Sequence, residues 1–104
     1  MTKTLDQKIG QLMIAGFREN KISKNSDISK YIRNYNISGV IFYDEDMKKG
    51  GLSSRNINSP TQLKNLSKSL QDNVDDPLFI TIDQEGGKVS RLKEEYGFPA
   101  FPSW

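Results

Sequence analysis

Asp83, Glu85, Lys88 and Arg91 fall within one short segment, DQEGGKVSR, that directly follows the apolar run Leu78-Phe79-Ile80-Thr81-Ile82. A carboxylate at the end of such a run can accept two hydrogen bonds from adjacent hydroxyl groups, and charge-assisted bonds of this kind are stronger than neutral ones. The plainer reading of Asp83 is a residue that caps the following turn. Arg91 carries a rigid multi-donor fork that suits fixed oxygen atoms. Gly86-Gly87 allows either a sharp turn alone or a close backbone approach to a ligand. Glu85 would order the loop or hold a cation, but no carboxylate cluster of clear spacing accompanies it, so no metal site is expected. GGKVS lacks the spacing of a P-loop, which argues against a phosphate-binding role for the glycines.

The composition narrows the chemistry further. The chain has no Cys and no His, which removes thiolate and imidazole chemistry and leaves Asp, Glu, Lys, Tyr and Ser for proton transfer or nucleophilic attack. A formal charge of +2, with basic residues scattered along the chain, gives no reason to expect a nucleic-acid partner. The N-terminus MTKTLDQK is polar and no apolar run approaches the ~20 residues of a membrane span, so neither a leader nor an anchor is expected and the chain reads as cytoplasmic. The 104 residues, 35% hydrophobic and 27% charged, suit one small globular domain.

The elements that must position these residues can be read from periodicity. Thr4 and Gln7 have capping-box spacing, and Leu5, Ile9, Leu12 and Met13 follow at helical intervals. The run Leu12 to Phe17 fits either the end of that helix or a first buried strand. Asp27 is a reasonable N-cap for a helix with the apolar stripe Ile28, Tyr31, Ile32 and Tyr35, which Asn36 would stop. Gly39 to Tyr43 lacks polar alternation, as expected of a parallel strand covered on both faces. Residues 44 to 59 form a polar loop around Gly50-Gly51, either a plain surface excursion or a functional segment; Asp44 and Asp46 in it are expected to be solvated, although a loop leaving a strand's C-terminal end can also contact a ligand. Ser59, Pro60 and Gln62 then open a helix with Leu63, Leu66 and Leu70 on one face. Leu78 to Ile82 reads as a further buried strand, and the tail from Tyr96, with two prolines, as extended or turning. Alternating helices and strands point to a parallel α/β sheet.

With these elements in place, DQEGGKVSRL resembles the signature of family 3 glycoside hydrolases of the β-N-acetylhexosaminidase type. KIGQLM with Gly16-Phe17, Gly39 to Phe42, Arg55-Asn56-Ile57 with Ser59-Pro60 and Gln62-Leu63, and Tyr96-Gly97-Phe98-Pro99 with Pro102-Ser103 are similar to other family segments in the same order. The resemblance implies a (β/α)₈ barrel, which typically needs ~250 residues, so this chain would supply about the first three βα units. It implies that Asp83 and Arg91 bind the hydroxyls of a terminal N-acetylglucosamine, without cofactor or metal. Lys88 departs from the family's usual arginine. The family's nucleophilic Asp, its acid/base Asp-His dyad and its Lys-His sugar-binding motif match nothing in this chain, so no catalytic residue is expected here. Such a piece should be inactive alone and should self-associate through uncovered barrel surfaces. The competing expectation is a truncated, non-catalytic module that binds glycans or copies of itself.

Overall fold

A computed structural model describes residues 2–103. Helix α1 (Leu5–Gly10), strand β1 (Ile14–Gly16), helix α2 (Asp27–Tyr35), strand β2 (Gly39–Phe42), helix α3 (Pro60–Gln71) and strand β3 (Phe79–Ile82) alternate along the chain, followed by a single 3₁₀ turn at Glu94–Tyr96. The strands form one parallel sheet in the order β1-β2-β3. The chain is therefore a small α/β domain with three parallel strands.

The ambiguous run after the opening helix contains both a helix end and a strand. Thr4 and Gln7 make the reciprocal capping box, and α1 closes at Gly10. A side chain at Gly10 would collide with the Tyr35 carbonyl oxygen at the end of α2, so glycine lets the two helices touch there. Helix α2 starts one residue earlier than its acidic residue suggested. Ser26 is the N-cap and Asp27 the first helical residue, where its charge complements the helix dipole. Ile28 and Ile32 are buried, whereas Tyr31 and Tyr35 are largely exposed; only half of the apolar stripe meets the core. Asn36 ends the helix in the left-handed conformation at φ 54°.

Strand β2 is central, and Val40 and Phe42 are buried in it. Strand β3 is less buried than its apolar sequence predicts. It lies at one edge of the sheet, Phe79 is 68% exposed, and the residues that follow it are only partly covered. Helix α3 buries Leu66 and Leu70. At its start Ser59 Oγ accepts from Gln62 N at 3.1 Å, but the return bond runs to a neighbour of the cap: Gln62 Oε1 accepts from Asn58 N at 2.8 Å. At its end the Gln71 amide clips the approach to β3, donating to Leu78 O at 2.8 Å and accepting from Leu78 N at 2.9 Å.

The accessible surface is 7191 Å², against roughly 5,900 Å² for a compact monomer of this mass. The excess is partly apolar. Leu12, Met13 and Ile14 are exposed before and on β1, as Phe79 is on β3, so both flanks of the sheet present hydrophobic side chains.

Candidate functional site

Parallel strands deliver their following residues to the same end of the sheet. The register pairs Phe42 with Ile82 and Gly16 with Ile41, so Phe17-Arg18, Tyr43-Asp44 and Asp83-Gln84 emerge side by side. Asp83 is exposed. Among the described residues, no hydrogen bond or ion pair engages its carboxylate, and none of the capping bonds anticipated for it forms. Gln84 organises the turn instead. Its Oε1 accepts from Arg91 N at 2.9 Å and Leu92 N at 3.1 Å, while its Nε2 donates to Ser90 Oγ at 2.8 Å. Glu85 N and Gly86 N both donate to Val89 O, at 2.9 and 3.0 Å.

Gly86 and Gly87 have φ of +83° and +59°, backbone that L side chains rarely adopt. A Cβ on Gly86 would meet the Pro102 carbonyl, and Gly87 N donates to Phe101 O at 3.0 Å. The glycines thus accommodate a turn and the returning tail, and the neighbour they let approach is the chain itself. Glu85 and Lys88 are exposed. Among the described residues no group of three metal-ligating side chains assembles.

Arg91 leads to a buried cluster assembled from distant parts of the chain. Asp44, expected to be solvated, is buried, as is Asp46. Asp44 Oδ2 accepts from Tyr96 Oη at 2.6 Å and forms an ion pair with Lys93 Nζ. Arg91 Nη1 lies 3.9 Å from Asp44 Oδ1. The guanidiniums of Arg91 and Arg55 stand 5.5 and 4.7 Å from the centre of the Tyr43 ring. Asp46 pairs with Arg18 at 2.6 Å and accepts from Lys48 N at 3.1 Å. Burial pushes the Asp46 carboxyl up, but the Arg18 and Lys48 hydrogen bonds and the charges of Arg18 and Lys49 outweigh it and hold the group below its ordinary range. Both acids are buried because loop 44–58 folds back on the sheet. Asn56 ties the loop's far end to its start, accepting from Tyr43 N at 2.9 Å, and to the segment after β1, donating to Phe17 O at 3.1 Å and Glu19 O at 2.8 Å.

The signal for Asp44 was present in the sequence. Asp44 follows the central strand after one residue, as Asp83 follows its neighbour directly; an acid at a strand's C-terminal end carries the same weight in both places. The partners Lys93 and Tyr96 carry no local signal, because they are brought in from ~50 residues away in the chain. A cavity of about 500 Å³ lies at the opposite end of the sheet, against Gln7, Asn36, Asn73 and Asp76. Among the described residues, the buried side-chain polar atoms left without partners are Asp44 Oδ1 and Arg91 Nε. Neither residue lines that cavity.

The cluster makes stability sensitive to alkali. Burial, then the hydrogen bond to Asp44, raises the Tyr96 phenol from 10.0 to about 12. Burial of Lys93 opposes its charge, but the hydrogen bond and charge of Asp44 prevail and raise its pKa as well. A pKa raised by folding contributes stability that is complete below the unfolded value and lost as the pH rises through the folded one. Stability is therefore expected to fall between about pH 10 and 12, and Tyr96→Phe, which lacks the phenol, should show a shallower fall in urea midpoints across pH 8–11.5. Parallel curves for the two chains would refute this.

Comparison with known proteins gives these features a context. The model of the glycosyl hydrolase family 3 N terminal domain matches residues 4–103. The beta-hexosaminidase of Actinobacillus pleuropneumoniae serotype 5b is 48% identical over 52 residues, 50% of this chain and 14% of that protein. That of Photobacterium profundum is 32% identical over 72 residues, 69% of this chain and 19% of that protein. A glycoside hydrolase family 3 beta-N-acetylglucosaminidase from Paenibacillus sp. str. FPU-7 superimposes with a TM-score of 0.79 at 36% identity, over 98% of this chain and 18% of that one. NagZ from Neisseria gonorrhoeae, solved in complex with N-trifluoroacetyl-D-glucosamine, superimposes with a TM-score of 0.67 at 25% identity, over 86% of this chain and 22% of that one. The matched part is thus under a quarter of each relative's length.

Proposed function

Since the chain belongs to glycosyl hydrolase family 3, we propose that it forms the first βα units of a retaining β-N-acetylhexosaminidase barrel and supplies Asp83 and Arg91 to the subsite that grips the terminal N-acetylglucosamine. The observation that carries this reading is the exposed carboxylate of Asp83 at the C-terminal end of β3, without a partner among the described residues. Barrel enzymes place their working residues at that end of the sheet. The register sets Asp83 beside Tyr43, the residue whose ring Arg91 overhangs, so an anionic acceptor and a guanidinium fork stand on one rim. The carboxylate would accept from adjacent ring hydroxyls, and the fork would donate to their oxygens.

Gripping a sugar is not cleaving it. A retaining glycosidase needs a nucleophilic carboxylate and a second group that acts as acid and then base, set ≈ 5–5.5 Å apart where both groups are carboxyls. Asp44 and Asp46 are buried in ion pairs, which argues against either as the nucleophile. The chain contains no His, so it has no counterpart of the dyad that the family resemblance implies. The exposed apolar residues on both flanks of the sheet suit surfaces that further barrel elements, or a second copy, would cover.

Purified from a host without its own hexosaminidase, this chain is expected to show no hydrolysis of a chromogenic N-acetylglucosaminide above the buffer rate, and light scattering of the same sample should report a mass above that of a monomer. Robust turnover would overturn the assignment of a binding role without catalysis, and a sharp monomer peak would overturn the assignment of the flanks.

A further inference from the structure

Arg91 lies beside residues outside the signature. Its backbone is fixed by Gln84, but its side chain lies against Tyr43 and Asp44, just past the C-terminal end of β2. Asp44 is 1% exposed at its side chain and Arg91 26%. Asp44 Oδ2 is fully occupied by Tyr96 and Lys93. Its other oxygen, Oδ1, is buried without a hydrogen-bond partner among the described residues, and so is Arg91 Nε. These two unpartnered atoms belong to residues whose charges stand 3.9 Å apart, too long for a hydrogen bond and short enough for a strong Coulomb attraction. Leaving a buried acceptor and a buried donor both unmade is costly, and a small shift of the guanidinium or one bridging water would satisfy them together.

We propose that Asp44 is the positioning residue for Arg91. Tyr96 and Lys93 clamp one carboxylate oxygen, so that the other faces the guanidinium and holds it, over the Tyr43 ring, in the orientation that presents its remaining N–H groups to the ligand. The 3₁₀ turn and loop 44–58 are thereby coupled to the sugar subsite. The inference rests on the sugar-binding reading of Arg91, and its test separates the two.

Asp44→Asn keeps the shape and an acceptor for Tyr96 while removing the charge that faces Arg91. In the unaltered chain the Arg91 Nε–Hε signal is expected to be dispersed and slow to exchange in ¹⁵N NMR, with its Nη protons resolved into separate signals; in Asp44→Asn the signal should move to the solvent-averaged position. N-acetylglucosamine affinity should fall at least tenfold in Asp44→Asn, and the combined Asp44→Asn/Arg91→Ala chain should bind no more weakly than Arg91→Ala. A folded Asp44→Asn chain with an unchanged Arg91 signal, or losses that multiply in the double variant, overturns the positioning role. Should Asp44→Asn fail to fold, averaged Nη signals in the unaltered chain overturn it without any variant. Arg91→Ala binding as tightly as the unaltered chain would overturn the sugar-binding reading, while the Arg91 signal still decides whether Asp44 holds the side chain.

Discussion

Asp83→Ala is expected to weaken N-acetylglucosamine binding by about thirty- to a hundredfold while leaving the fold intact. Two charge-assisted hydrogen bonds to neighbouring hydroxyls contribute about 1.5–3 kcal/mol each when made in a protein, and the exposure of Asp83 places them at the low end, since water competes for the same groups. A loss of roughly 2–3 kcal/mol is one and a half to two decades in affinity. The fold has no stake in the change. No hydrogen bond or ion pair among the described residues engages the Asp83 side chain, and surface substitutions of that kind move stability by about 0.5 kcal/mol or less. Asp83→Asn keeps one acceptor oxygen and should bind with intermediate affinity. Titrating the sugar against amide NMR signals of the rim, with thermal unfolding as the control, reads both halves. Equal affinities for the parent chain and Asp83→Ala would remove Asp83 from the subsite.

The fold and the candidate site were written unevenly into the sequence. Element order was legible because it is set by local rules: the capping box at Thr4, the stop at Asn36, the proline after Ser59 and the apolar run at β2 each act over a few residues. Burial was less legible. Leu78 to Ile82 has the composition of a strand covered on both faces, yet Phe79 is mostly exposed, because an edge position depends on what lies beyond the sheet and not on the strand's own residues. Asp44 and Asp46 failed for the complementary reason. Acids in a polar, glycine-containing loop are usually solvated, and only the return of Arg18, Lys93 and Tyr96 from other parts of the chain offsets the cost of burying them. The signature marked Asp83 and Arg91 as a candidate pair, but nothing local indicated that the Arg91 guanidinium would lie 3.9 Å from Asp44.

Leu70→Ala should destabilise the domain far more than loss of an exposed leucine, lowering the unfolding midpoint by at least about 8 °C. Leu70 is fully buried on α3, in the same core as Leu66, Val40 and Phe42. Removing a buried leucine side chain costs about 2–5 kcal/mol, the higher values where the surroundings cannot collapse into the cavity. Collapse is restrained here, since the helix is fixed at its start by Ser59 and at its end by the two Gln71–Leu78 hydrogen bonds. Domains have about 5–15 kcal/mol in all, and the uncovered surface of this sheet argues for the lower part of that range. For a chain of this length 1 kcal/mol corresponds to roughly 4–8 °C, so even the smallest cost is a large shift. Leu12→Ala is the matched control: Leu12 is 86% exposed, and the same change of side chain there should move the midpoint by no more than ~2–4 °C. Equal shifts for the two variants, measured by circular dichroism melts at matched concentration, would mean that α3 does not pack on the sheet as described.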